Sequence, residues 1–226
     1  MRQFINNYLE ALSPLITLFV IIFTYLQKKA KVTNALFFHF LLSSLFCLWI
    51  VILSYYHKEN IYLYTISCII SFFTLTLYFF VILNLKKNKT AIVILSIIYT
   101  IFYFVNILFW EDNTAFNSIG FAAESIFILI FSFIYFRERL LLLDLGTNYS
   151  TSNLLIVLSF FFYYTGSFFI FLTYKLLTQN GINTNILEER KSIGTLWGIH
   201  NIIYFISCLI ASVGILWKKF QTKYIS

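Results

Sequence analysis

Long apolar stretches, separated by short polar segments, follow one another along the whole chain. They cover residues 8–27, 34–56, 60–85, 90–110, 115–136, 153–175 and 195–217. A helix needs about 20 apolar residues to cross a bilayer core that is roughly 30 Å thick. The stretches do not alternate between apolar and polar residues, as half-buried strands would. The pattern therefore predicts an all-α, polytopic membrane protein, a bundle of seven transmembrane helices.

Composition favours one membrane domain. Of the 226 residues, 60% are hydrophobic and 11% are charged, whereas soluble domains average about 25% charged residues. No polar segment is long enough for a separate soluble domain, so we expect residues 1–226 to form a single transmembrane domain. The abundance of Phe, Ile, Asn, Lys and Tyr is typical of an AT-rich coding sequence and favours a bacterial source. Because the spans are apolar all round rather than alternating as in outer-membrane strands, we expect the bacterial cytoplasmic (inner) membrane.

Basic residues predict the orientation of the helices. Most of the 16 Lys and Arg follow the first, third, fifth and seventh stretches, namely Lys28, Lys29, Lys31, Lys86, Lys87, Lys89, Arg137, Arg139, Lys218, Lys219 and Lys223. The opposite side carries Arg2, Lys58, Lys175, Arg190 and Lys191. Because Lys and Arg accumulate in cytoplasmic loops, we expect the N-terminus outside and the C-terminus in the cytoplasm. This distribution explains the net charge of +7 without nucleic acid as a partner.

A few polar residues interrupt the apolar stretches and form the candidate site. Glu124 is expected close to mid-depth, and residues of this kind normally face the interior of the bundle. Asn117 and Gly120 share its helix face, and Gly120 would let a backbone or a ligand approach. The fourth and seventh stretches add further polar side chains: Tyr103, Asn106, His200, Asn201 and Tyr204.

Two interpretations of these residues stay open. In the first, they line an outward-facing pocket that binds a ligand or senses protons. In the second, they form a structural hydrogen-bond network that ties helices four, five and seven together, as interhelical polar contacts in membranes often do. His39 is expected near the inner end of the second helix, well away from this group.

Motifs for known chemistry are missing from the sequence. Three scattered histidines, and three cysteines that lie inside apolar stretches, favour neither a metal site nor a disulfide framework. No hydrolase, metalloprotease or phosphate-binding motif occurs, so we predict no catalytic residues and no cofactor. Retinal would need a buried lysine for its Schiff base, and the seventh stretch has none before Lys218.

The segment after the fifth stretch is a candidate contact surface. Arg137, Glu138 and Arg139 would face a cytoplasmic partner if the helix continues past the membrane and ends near Gly146. The alternative is a frayed helix end. On the opposite side, the segment 185–191 is a possible short helix.

Several short motifs in the second half of the chain resemble those of one group of proteins. They are Glu124-Ser125, YFRE at 135–138, FYYTGSFF at 162–169 and LWGIHNIIY at 196–204. Residues 120–217 thereby resemble small, uncharacterised bacterial seven-helix membrane proteins that are often encoded next to sensor histidine kinases. The resemblance implies an association with membrane signalling. Besides the lipid bilayer, we expect a membrane-associated histidine kinase or a second copy of the chain as partner.

Three functions remain for the sequence to choose among. The first is a membrane-embedded sensor or signalling accessory protein. The second is a small transporter or lipid-handling protein, which the scarcity of Pro and Gly disfavours, because transporters often use broken helices. The third is an intramembrane enzyme that uses Glu124 and His200 as acid and base, which the lack of a nucleophile or metal set disfavours.

Overall fold

The computed structural model describes residues 8–26, 34–56, 58–111, 116–143, 150–179 and 186–224. This part of the chain is helical and contains no strand. We number the helices α1 (Leu9–Leu26), α2 (Asn34–Tyr55), α3 (Ile61–Ile82), α4 (Lys86–Val105), α5 (Ser118–Leu143), α6 (Thr151–Gln179) and α7 (Ile186–Tyr224). A π-helical turn, Asn106–Trp110, continues α4.

All seven helices of the described residues are long and apolar enough to cross a membrane. Large apolar side chains such as Phe19, Leu108 and Phe169 point away from the bundle, where lipid would cover them. The chain is therefore a multi-pass membrane protein with seven spans, as the apolar pattern predicts. We call the side on which α1, α3, α5 and α7 begin the N-terminal face, and the other side the C-terminal face.

Several helices extend beyond their apolar stretches. The fifth continues to Leu143, so the frayed-end alternative does not hold as far as that residue, whereas Gly146 lies outside the described residues. Most of the predicted short helix at 185–191 forms the first turns of α7 instead. At 39 residues, α7 is about 58 Å long at 1.5 Å per residue, so it extends well beyond a bilayer core.

Six of the helices form a closed ring. Around it, α1 packs on α2, α2 on α3, α3 on α5, α5 on α6, α6 on α7 and α7 on α1. Helix α4 lies outside the ring, against α3 and α5. The Tyr103 hydroxyl donates to the Thr65 carbonyl of α3, and the Tyr99 ring stacks at 3.9 Å on that of Phe72. The ring leaves space at its centre, where the candidate site lies.

Candidate functional site

A cavity of about 80 Å³ lies inside the helix ring, and all six ring helices line it. A volume of this size holds several water molecules. The polar and ionisable side chains on its wall are Glu10, His39, Ser43, Cys47, Tyr64, Ser67, Cys68, Ser71, Thr74, Glu124, Tyr163, Tyr164, Trp197, His200, Tyr204, Ser207 and Cys208. We call it the central cavity.

Helix α3 contributes a continuous polar stripe to this wall. Tyr64, Ser67, Cys68, Ser71 and Thr74 all line the cavity. Each is three or four residues from another member of the set, so they share one helix face. From the first to the last, the stripe is about 15 Å long. It therefore borders the cavity over about half of the membrane core.

Glu124 of α5 meets this stripe in the interior of the bundle. Its side chain is buried, and one carboxylate oxygen accepts a hydrogen bond from the Tyr164 hydroxyl at 3.0 Å. The other accepts from the Cys68 thiol at 3.2 Å. Ser71 in turn lies 3.2 Å from the Tyr164 hydroxyl. These donors are neutral, and no salt bridge joins Glu124 to a basic side chain among the described residues.

A second carboxylate, Glu10, lies nearer the N-terminal face. The Tyr64 hydroxyl donates to it over 3.4 Å, and Trp197 lies next to the same carboxylate. Tyr64 and Cys68, which contact the two carboxylates, are one turn apart on α3, about 6 Å. Two acidic side chains thus belong to one cavity wall.

His200 belongs to the same region, and His39 lies deeper. The His200 Nε2 is 3.4 Å from the Tyr163 hydroxyl, and its buried Nδ1 has no hydrogen-bond partner among the described residues. His39 is 3.0 Å from the Thr74 hydroxyl, at the far end of the α3 stripe. The expectation that His39 lies well away from the group is wrong, because α2 packs directly on α3 and presents His39 to the same cavity.

Aromatic side chains lie at both ends of the cavity. Towards the N-terminal face, the rings of Tyr64, Phe116 and Trp197 touch one another edge to face, with centroids 5.5 to 5.7 Å apart. We call them the aromatic triad. Towards the C-terminal face, Phe160 contacts the rings of Phe40 and Tyr78.

The triad also lines a second cavity of about 380 Å³, which we call the vestibule. The other residues of the vestibule wall include Ile61, Ser118, Lys175 and Ile193, which lie near the ends of their helices at the N-terminal face. The vestibule and the central cavity therefore adjoin at these three rings.

Asn106 and Asn117 form a separate polar cluster with Glu111 at the beginning of α5. The Asn106 amide donates to Glu111 at 2.9 Å and to Asn117 at 2.8 Å. Glu111 is buried, accepts from the Ser118 hydroxyl, and forms a salt bridge with Lys175 at 3.2 Å. Neither asparagine is on the cavity wall, so this cluster resembles the structural network that the sequence left open.

Gly120 has a different role from the one predicted. A Cβ atom there would lie 2.3 Å from Asn117 Oδ1. That oxygen accepts the Gly120 N–H at 2.8 Å and so caps α5. The missing side chain makes room for the cap, not for another helix or a ligand.

Of the remaining predicted site residues, some line the cavity and others do not. Tyr204 lines the central cavity together with Glu124 and His200. Asn201 is buried but not on the cavity wall, and Tyr103 instead binds α4 to α3. The structure thus brings three of the predicted residues together at the cavity.

Of the three predicted partner-facing residues, Glu138 lies in the interior of the bundle rather than on its surface. It is fully buried and accepts hydrogen bonds from the backbone N–H groups of Asn84 and Leu85 and from the Asn88 amide. These hydrogen bonds join the connection between α3 and α4 to α5. Arg137 is exposed and Arg139 is half-buried.

Sequence reasoning missed several members of the cavity wall. Tyr64, Cys68 and Tyr164 contact the two carboxylates, yet tyrosine and cysteine in an apolar stretch are usually packing residues. The available signal was the helical spacing of Ser67, Ser71 and Thr74 along the third stretch. All three cysteines of the chain line the cavity.

Comparison with protein-family models, with curated proteins and with solved structures finds no match to this chain. Within the described residues, no three His, Cys, Asp or Glu side chains are grouped so that they could hold a metal ion. The functional argument therefore depends on the cavity itself.

Proposed function

We propose that this protein is a membrane-embedded sensor or signalling accessory protein, which binds a small polar ligand in the central cavity from the N-terminal face. The observation that carries the proposal is the buried Glu124 carboxylate beside a cavity of about 80 Å³, held by neutral donors alone. Ionisable groups inside a membrane are costly and commonly mark functional sites.

The direction of access follows from the residues at the two ends of the cavity. The aromatic triad lines both the central cavity and the vestibule. On the other side, Phe160, Tyr78 and further buried aromatic residues such as Phe79 and Phe131 fill the bundle. A ligand could therefore reach Glu124 by displacing the triad, whereas passage to the C-terminal face would require repacking of the core. This difference favours a sensor over a transporter.

Two helices connect the cavity to the predicted cytoplasmic side. Helix α5 carries Glu124 and continues to Leu143, and α7 carries His200 and Tyr204 and continues to Tyr224. A change of packing around the cavity would shift the ends of both helices. We propose that a membrane-associated histidine kinase contacts the region around Arg137 and responds to this shift. Cross-linking from this position would distinguish a kinase from a second copy of the chain.

Thiol labelling tests access to the cavity. Variants that keep Cys68 or Cys208 as the sole cysteine are embedded in membranes and exposed to a small, membrane-impermeant thiosulfonate from one face at a time. We expect labelling of both thiols from the N-terminal face, faster when Trp197→Ala opens the triad. Leu209→Cys, in a chain without other cysteines, is the matched control, because residue 209 adjoins Cys208 but points outwards. Absence of labelling, or labelling from the C-terminal face alone, would overturn the proposal.

The second candidate function is a small transporter. It is favoured by the reach of the polar wall to His39, only five residues from the beginning of α2 at the C-terminal face. In the same experiment, a transporter would be labelled from both faces, and it would move a labelled solute into proteoliposomes. A sensor would be labelled from the N-terminal face alone and would move no solute.

A further inference from the structure

We propose that the central cavity binds a small organic ammonium ion at Glu124 and Glu10. Its positive charge would balance the two acidic side chains, which have no basic partner on the cavity wall among the described residues. This inference rests on the proposed role of the cavity as a ligand site. It adds the chemical class of the ligand, which is a compact cation with N–H donors.

The first argument is charge. Two carboxylates line the cavity, and none of the described residues on its wall is Lys or Arg. Their donors, the hydroxyls of Tyr64 and Tyr164 and the thiol of Cys68, are all neutral. A buried carboxyl group keeps its charge when a cation lies beside it and otherwise takes up a proton. The nearby Glu111 shows the usual solution, since Lys175 pairs with it; for the cavity carboxylates, a bound cation would be that partner.

The second argument is the kind of cation. An ammonium group offers N–H donors and no acceptor, so it suits a wall rich in acceptors. His200 lines the cavity, and its buried Nδ1 lacks a partner among the described residues. If Nε2 carries the proton towards Tyr163, Nδ1 is an acceptor without a donor beside the cavity wall.

Aromatic rings on the wall strengthen this preference. Tyr64, Phe116 and Trp197 surround the end of the cavity where Glu10 lies, and Phe171 and Trp197 flank His200 at centroid distances of 5.1 and 5.5 Å. Ring faces attract organic cations. A metal ion instead needs several oxygen, nitrogen or sulfur ligands around one point, and the described residues contain no group of three His, Cys, Asp or Glu side chains that could hold one.

The third argument is size. The cavity measures about 80 Å³, whereas a cavity of roughly 150 Å³ accommodates benzene. The ligand therefore has only a few non-hydrogen atoms, as in methylammonium or ethylammonium. Its path through the vestibule passes Lys175, whose charge is compensated by Glu111 at 3.2 Å.

The test uses the full-length protein in detergent, with ethylammonium chloride as the probe. Ethanol serves as the neutral analogue of similar size, and sodium chloride holds the ionic strength constant. We expect ethylammonium to raise the thermal unfolding temperature in a saturable way, because it binds the folded state. Glu124→Gln should abolish the shift and Glu10→Gln should reduce it, whereas Glu59→Gln, a change at an exposed carboxylate, should leave it intact. An equal shift with sodium, or an unchanged shift in Glu124→Gln, would overturn the inference.

A second readout needs no change at Glu124. In the protein with Cys68 as sole cysteine, ethylammonium at about ten times its Kd should slow thiosulfonate labelling roughly tenfold, because a bound ligand covers the thiol. Ethanol should give no protection. Labelling without protection by ethylammonium would contradict the ammonium ligand while leaving the accessible cavity in place. Failure to label at all would contradict the proposed function itself.

Discussion

Glu111 and Glu138 are acidic residues near the ends of apolar stretches, where solvated loop positions are the ordinary expectation. Both are buried instead, and both accept backbone N–H groups: Ile119 donates to Glu111, and Asn84 and Leu85 donate to Glu138. Helix ends and connections leave such donors without partners, and in a membrane protein little water can replace them. Each carboxylate thereby secures a boundary between helices.

At Glu138 this role predicts a large effect on stability. Glu138→Ala would remove the acceptor for three donors at the connection of α3 and α4. We expect the free energy of unfolding in detergent to fall by about 3 kcal/mol, since hydrogen bonds to charged groups contribute roughly 1.5–3 kcal/mol each and leave costly orphans when removed. Glu59→Ala, at an exposed position, is the control; equal unfolding midpoints for both variants would refute the role.

At Gly120, the sign of the change in unfolding free energy tests the capping of α5 by Asn117. Helix propensity alone would make Gly120→Ala stabilising by about 1 kcal/mol. The overlap with Asn117 Oδ1 should instead displace the cap of α5 and cost about 1–2 kcal/mol. In an Asn117→Ala background the overlap is gone, so the same change should become neutral or stabilising. Chemical unfolding of the four proteins measures this coupling, and additive effects would contradict it.

At the scale of the helices, the sequence predicts where the seven spans lie but not how long each helix is. Hydropathy located all seven spans because lipid contact requires apolar side chains over the core thickness. It did not locate the ends of α5 and α7, because a helix continues for as long as its backbone bonds are favourable, inside or outside the membrane. Residues 137–143 of α5 and 186–194 of α7 are helical although they are more polar than the spans.

The candidate site was partly predictable for a related reason. Glu124 and His200 stand out because ionisable residues in spans are rare. Helical spacing assigned Asn117 to the same face as Glu124, but spacing cannot show which neighbour each residue meets. Asn117 contacts Asn106 near the membrane surface, whereas Glu124 contacts α3 and α6 deeper down. Partners on other helices follow from the ring arrangement, which no local pattern encodes.

Packing of α6 on α7 offers a matched pair of glycines. At Gly214, a Cβ would lie 3.0 Å from Leu155 Cβ and 3.1 Å from the Ser152 carbonyl oxygen, neither of which can move easily. At Gly166, the nearest atom is the flexible end of Ile203 at 2.8 Å. We expect Gly214→Ala to cost about 1–3 kcal/mol of unfolding free energy and Gly166→Ala clearly less. Thermal unfolding of both variants measures the two losses of stability. A larger loss for Gly166→Ala than for Gly214→Ala would refute the packing argument.

On the scale of the whole molecule, the helix ring explains why polar residues from distant parts of the chain meet. Glu10 comes from the first helix and His200 from the last, yet α1 and α7 are neighbours in the ring. Helix α4 lies outside it, so its polar residues Tyr103 and Asn106 support α3 and α5 without lining the cavity. Position in the ring therefore separates the side chains around the cavity from those that only hold helices together.

The direction of the ring in the membrane is the last prediction. The distribution of Lys and Arg predicts that the N-terminal face is outside and the C-terminal face is in the cytoplasm, so the vestibule would open to the exterior. In a bacterial host, a green fluorescent protein fused after Ser226 should fluoresce, and alkaline phosphatase at that point should be inactive. Phosphatase fused after Glu59, at the N-terminal face, should be active. Replacing Lys86, Lys87 and Lys89 by Gln should weaken this preference, because these residues help to retain their loop in the cytoplasm. Active phosphatase after Ser226 would reverse the orientation, and the vestibule would then face the cytoplasm.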